Sequence, residues 1–180
     1  MMSGSIWMSS MTISIEPTAH VVSWSQLSDA EQDDIASFIE HAGEVEIGVR
    51  ERAADAKAFF LLKRSSALIG CAALKCPPQA RKQNVFAKAK CALDPTTFTY
   101  ELGWIVVATS ERRKGLSRIL VNSALETAGP RPIYATCRAD NIAMRRVLVD
   151  NAFAEHGQSY LGRDGRTKIS LLLRDASPVT

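Results

Sequence analysis

The chain has 180 residues, 46% of them apolar and 23% charged, with a formal net charge of +3. That length suits one domain with a sizeable core, and the mild charge provides no case for a nucleic-acid-binding surface. No run of about twenty apolar residues is present, so a membrane span is excluded.

Residues 1–15 carry Trp7 and several methionines but neither a basic leader nor a sustained apolar segment. They do not read as a signal peptide. A flexible segment is expected there, with Met11 as an alternative start and a single domain over residues 16–176. Val21 to Trp24 suits a short strand. Ser28-Asp-Ala-Glu31 reads as a capping box opening a helix with Ile35, Phe38 and Ile39 on one face. A second helix is expected over Glu46 to Ala56, and Glu40, Glu44 and Glu46 gather at the junction. Those carboxylates suit an ordinary solvated turn better than a cation trap.

Phe59 to Lys63 and Leu68 to Lys75 form a hairpin pattern that Pro77 and Pro78 end. From Gln79 to Phe98, basic residues Arg81, Lys82, Lys88 and Lys90 suggest a long solvated connection, with a flap or added hairpin as the alternative. Tyr100 to Val107 is β-branched and aromatic, as a buried strand should be. After a loop, Ile119, Leu120, Ala124 and Leu125 recur at helical spacing. Pro132 to Cys137 is another strand, and Asn141 caps the next helix. Phe153 to Leu161 and Thr167 to Leu173 close the chain as a hairpin around Gly162-Arg-Asp-Gly165. Cys71, Cys76, Cys91 and Cys137 form no C-x-x-C pair and suggest reduced thiols without a metal.

The richest stretch joins the strand ending at Val107 to the following helix through Arg112-Arg113-Lys114-Gly115-Leu116-Ser117. First-turn N–H groups of a helix lack intrahelical partners, and the macrodipole there favours anions. Gly115 keeps bulk out of the turn, and Arg112, Arg113 and Lys114 add cations able to grip phosphate. Neither G-x-x-x-x-G-K-[ST] nor G-x-G-x-x-G occurs, which argues against an ATPase or a dinucleotide oxidoreductase.

This loop resembles the acetyl-coenzyme A signature R/Q-x-x-G-x-G/A of the GNAT superfamily of N-acetyltransferases, with Ser117 at the last small position. Glu101 on the preceding strand matches a carboxylate that serves many such enzymes as general base. Asn141 to Phe153 is similar to their later motif, with Ala152 in place of a glycine. The resemblance spans Phe59 to Arg174. It implies an α/β fold: a mixed, mostly antiparallel seven-stranded sheet flanked by about four helices. In it, the Glu101 strand and the Tyr134 strand run parallel but splay apart to admit pantetheine. It further implies that Ile105, Val106 and Val107 bond the pantetheine arm and that residues Arg112 to Ser117 hold pyrophosphate. Asn141 is implied at the pantetheine end or as a helix cap alone.

Acetyl transfer to a primary amine by direct attack follows, with no metal, in a cytoplasmic protein. The acceptor would be a small molecule, peptide or protein, and a homodimer is compatible with the resemblance. Glu101 could instead serve only in a salt bridge. Many relatives place an acidic tyrosine where Leu148 stands, so Tyr160, Ser123 or water must supply that proton. Leu148 also leaves open a non-catalytic acyl-coenzyme A sensor or regulatory module. His20, His41 and His156 are scattered and read as structural or surface groups.

Overall fold

The computed structural model describes residues 17–43 and 48–175, so the N-terminal segment expected to be flexible, together with Glu44 and Glu46, lies outside the described residues. Seven strands form one sheet: β1 (His20–Val22), β2 (Ala56–Arg64), β3 (Ala67–Lys75), β4 (Tyr100–Val107), β5 (Ile133–Arg138), β6 (Ala154–Leu161) and β7 (Lys168–Arg174). Their order is β1-β2-β3-β4-β5-β7-β6. Among the described residues only β4 and β5 pair in parallel. Five α-helices are described, one more than expected: α1 (Asp29–His41), α2 (Val49–Ala53), α3 (Gln79–Lys88), α4 (Leu116–Ala128) and α5 (Ile142–Asp150). Among the described residues no helix is long and apolar enough to cross a membrane.

Alternation along the strands divides the side chains between two faces. Phe60, Leu62, Ala72, Leu74, Leu102 and Ala135 join α4 in the main core, against which Met144 and Val147 of α5 also pack. On the opposite face, Phe59, Leu61, Cys71 and Ala73 meet Ile35 and Ile39 of α1 and Val49 and Ala53 of α2. The Ser28 capping box starts α1 as expected, Ser28 Oγ accepting from Glu31 N–H. The second helix is shorter than expected because its N-terminus is set by Glu40, whose Oε1 accepts from Gly48 and Val49 N–H at 2.8 Å each. Trp24 belongs to a buried 3-10 turn rather than to β1.

The expected solvated connection is corrected by α3. Pro78 leads into the helix without donating a backbone bond, and Phe86 and Ala89 are buried with Phe98, Tyr134, Leu171 and Leu173 in a third cluster. Phe86 meets Tyr134 edge-on with centroids 5.6 Å apart. Beyond α3, Ala89 O accepts from Gln158 N–H at 2.7 Å, so the insertion spans from β3 to an irregular part of β6. A side chain at Gly157 would come within 2.0 Å of Ala89 O, which explains glycine at that contact.

Candidate active site

The parallel register between β4 and β5 covers Tyr100–Ile133, Glu101–Tyr134 and Leu102–Ala135, and ends there. Beyond Leu102 the strands part. On its other side β4 stays paired with β3, but three β4 steps from Gly103 to Val106 oppose two β3 steps from Ala73 to Cys71. This bulge holds the extra residue with Trp104 at φ +52°, a conformation rare for a bulky side chain. As a result Trp104 and Val106 face α1 and α2, whereas Ile105 and Val107 face the α4 side. Phe59 stacks on the Trp104 ring at 5.8 Å and holds it there.

A cleft of about 630 Å³ occupies the fork. Its walls include Gly103 to Val107 of β4, Ala135 to Arg138 of β5 and Asn141, Met144 and Leu148 of α5. At the mouth, Gly115 precedes α4 in the left-handed region at φ +78°, with no capping side chain. The first helical bonds run from Arg118 and Ile119 N–H to Gly115 O, leaving the Leu116 and Ser117 amides ahead of them. Arg112 and Arg113 line the same mouth, and Arg112 Nε donates to Val107 O at 3.2 Å. Lys114 is turned toward buried Glu111, whose carboxylate lies 3.0 Å from Lys114 Nζ and 2.6 Å from Arg64. The Lys114 hydrogen bond leads the influences that hold the Glu111 carboxyl below its ordinary range. Asn141 caps α5 by accepting from Met144 N–H at 3.1 Å and also lines the cleft. The exposed β4 edge, the left-handed glycine and the basic mouth suit an extended ligand ending in phosphates.

Glu101 lies one residue before the fork opens and is 3% exposed. Its Oε1 receives Lys75 Nζ at 2.6 Å, while Oε2 has Tyr134 O–H at 3.3 Å and Arg81 Nε at 3.9 Å. Burial alone would raise its carboxyl, but the pull of Lys75, Arg81 and the Tyr134 hydroxyl prevails and holds it below the ordinary range. For Lys75 burial prevails over the Glu101 attraction, so its ammonium lies below its usual value.

The sequence matches the model of the acetyltransferase (GNAT) family over residues 15–152. The chain belongs to the GNAT family. Among solved structures, Escherichia coli ElaA is similar with a TM-score of 0.64 and 14% identity, covering 88% of this chain and 99% of that one. The ribosomal-protein-S18-alanine N-acetyltransferase of Escherichia coli reaches TM-score 0.61 at 17% identity, covering 91% and 97% of the two chains. Arabidopsis thaliana NAA60, solved with a bisubstrate analogue, reaches 0.60 at 14% identity, covering 87% and 97%. A sequence search of curated proteins finds no significant match. The family makes this GNAT domain an acyltransferase, and the family uses acetyl-coenzyme A.

Ile105, Val106, Val107, Arg112, Arg113, Gly115, Leu116, Ser117, Asn141 and Leu148 all border the cleft, and Lys114 stands beside it, held by Glu111. Neither Ser123 nor Tyr160 borders it. Tyr160 packs beside the third cluster, where burial pushes its hydroxyl up to about 12. His41 Nδ1 lies 2.7 Å from Ser37 O on α1. Sequence reasoning missed Lys75, Arg81, Tyr134 and Glu111. Only Glu111, directly before the Arg112 to Ser117 loop, stood where a local signal could have found it. No cluster of three or more metal-ligating side chains occurs among the described residues.

Proposed function

We propose that this enzyme transfers the acetyl group of acetyl-coenzyme A to a primary amine by direct attack, with Glu101 as the proton acceptor. The supporting observation is the position of Glu101 immediately before the β4–β5 fork, with unequal demands on its two oxygens. Oε1 is committed to Lys75 at 2.6 Å, whereas the longer contacts of Oε2 leave it the oxygen able to accept a proton, directly or through water. Loop amides from Leu116 and Ser117, with Arg112 and Arg113, would hold the donor's pyrophosphate. The free β4 edge from Gly103 to Val107 would bond its pantetheine amides. Bound there, acetyl-coenzyme A supplies an acyl carbon activated by its thioester. The nitrogen forms the new amide bond, the carbon–sulfur bond breaks, and the thiolate leaves to be protonated by water, since Leu148 has no proton to give.

Glu101 is ionised wherever the protein is folded at moderate pH, because its pairing keeps it below the ordinary carboxylate range. The rate should therefore rise with pH along the acceptor amine's own deprotonation. Thermal melting tests the donor: acetyl-coenzyme A at a hundred times its dissociation constant should add about 2.7 kcal/mol. Thiol release across a panel of amines tests transfer, and Glu101→Gln should lower kcat about a hundredfold. Coenzyme binding without thiol release from any amine would favour the non-catalytic sensor.

A further inference from the structure

On the acceptor side of the fork, opposite α4, two cations among the described residues meet the carboxylate of Glu101. Lys75 reaches Glu101 from β3 at 2.6 Å and lies 5.0 Å from the centre of the Trp104 ring. Arg52 of α2 lies over the same ring at 5.9 Å. Arg81 of α3 stops 3.9 Å from Oε2 with 41% of its side chain exposed. Two cations from two elements, Lys75 and Arg81, thus meet at one carboxylate, which Lys75 alone already balances.

Three acidic side chains of α1 are used elsewhere. Glu40 caps α2 through two backbone bonds, and Asp29 and Asp33 both hold Arg50. The first turn of α3 contains no acidic residue, yet it holds Arg81 and Lys82. Cations at a helix start are opposed by the macrodipole, so this end of α3 is less favourable for the helix than for an anion beside it. A polyamine entering here would add charge to an already positive wall. An amine with its own anion would not.

Resting on the acetyl-transfer reading above, we propose that the acceptor is a primary amine bearing an anionic group a few bonds from its nitrogen. Arg81 receives that anion, while Lys75 remains on Glu101. Arg81 is therefore the residue that sets specificity, and its exposure leaves the guanidinium open to the bidentate grip that arginine offers carboxylates and phosphonates.

The test compares β-alanine, 2-aminoethylphosphonate, β-alaninamide and putrescine by thiol release, and in parallel by calorimetry on protein loaded with coenzyme A. Both anionic amines should exceed the amide and putrescine by about tenfold or more in kcat/KM and in affinity, the scale of one charged hydrogen bond. A carboxylate preference and a phosphonate preference each support the proposal and identify the anion. Arg81→Ala should bring the ratio to about unity, chiefly through KM, and Arg81→Lys should restore part of it. Equal or better use of putrescine or β-alaninamide overturns the assignment, as does a ratio unchanged in Arg81→Ala. If no amine releases thiol, the transfer reading fails, and the calorimetric order still decides whether an anionic amine is preferred.

Discussion

Replacing Lys75 with Met should show how strongly the Glu101 carboxylate depends on its partner. The two side chains are 13% and 4% exposed, and their charged atoms are 2.6 Å apart. Removing one member of such a pair leaves a buried charge uncompensated and typically costs about 3–5 kcal/mol. Arg81, 3.9 Å away and partly exposed, can move inward to offset some of this. The lower end, about 3 kcal/mol at pH 8, is therefore expected, equivalent to about 6–12 °C in Tm for a chain of this size. The pH dependence is the sharper signature. In the native protein Glu101 lies below its ordinary value of 4.5, so its contribution is complete above that value and is lost as pH falls through the folded one. Without Lys75, burial becomes dominant and raises the carboxyl. The cost of the variant then shrinks as pH falls through this raised value, because a neutral acid leaves no charge stranded. Urea melts at pH 8 and pH 5 should show a smaller loss at pH 5, and at pH 8 Lys75→Met combined with Glu101→Gln should be more stable than either single variant, because no buried charge is then left unpaired. An equal loss at both pH values, or a loss below about 1 kcal/mol, refutes the reasoning.

The docking of α3 on β6 should fail in Gly157→Ala. Its new Cβ would lie 2.0 Å from Ala89 O at a φ of +71°, and the left-handed strain plus the lost Gln158 hydrogen bond should cost about 2–3 kcal/mol by thermal or urea melting. Gly115→Glu should abolish the stabilisation by acetyl-coenzyme A, since it places a carboxylate at φ +78° beside the amides proposed to hold phosphate; an unchanged shift would count against the loop. Acid stability should decline as pH falls from 3.8 to about 2 because Asp164, held down chiefly by Thr167 and by the Arg166 and Thr167 amides, titrates there in the folded state. Asp164→Asn should flatten that part of a stability-against-pH curve.

What could be read along the chain was local. The β4 strand, the glycine before α4 and the cap at Asn141 each depend on neighbours a few residues away, and it was the family resemblance they carry that implied a coenzyme fork. The surroundings of Glu101 depend instead on register. Lys75 stands opposite it only because β3 and β4 pair Lys75 with Glu101, and Tyr134 only because β5 pairs in parallel at the same level. Neither relation leaves a mark in sequence spacing. The α3 helix was obscured for a different reason: its buried face consists of little more than Phe86 and Ala89, while Arg81, Lys82 and Lys88 give the segment the composition of a loop. Pro77 and Pro78 ended one element and equally well introduced the next, since proline is excluded from a helix interior but not from its start. This inserted helix changes the chemistry available at the fork. By burying Phe86 against Tyr134 and bringing Arg81 to Glu101, it adds a second cation beside a carboxylate that Lys75 already pairs. The proposed donor cleft rests on motifs that resemble those of the family, whereas the proposed acceptor choice rests on a segment whose composition pointed to a solvated loop.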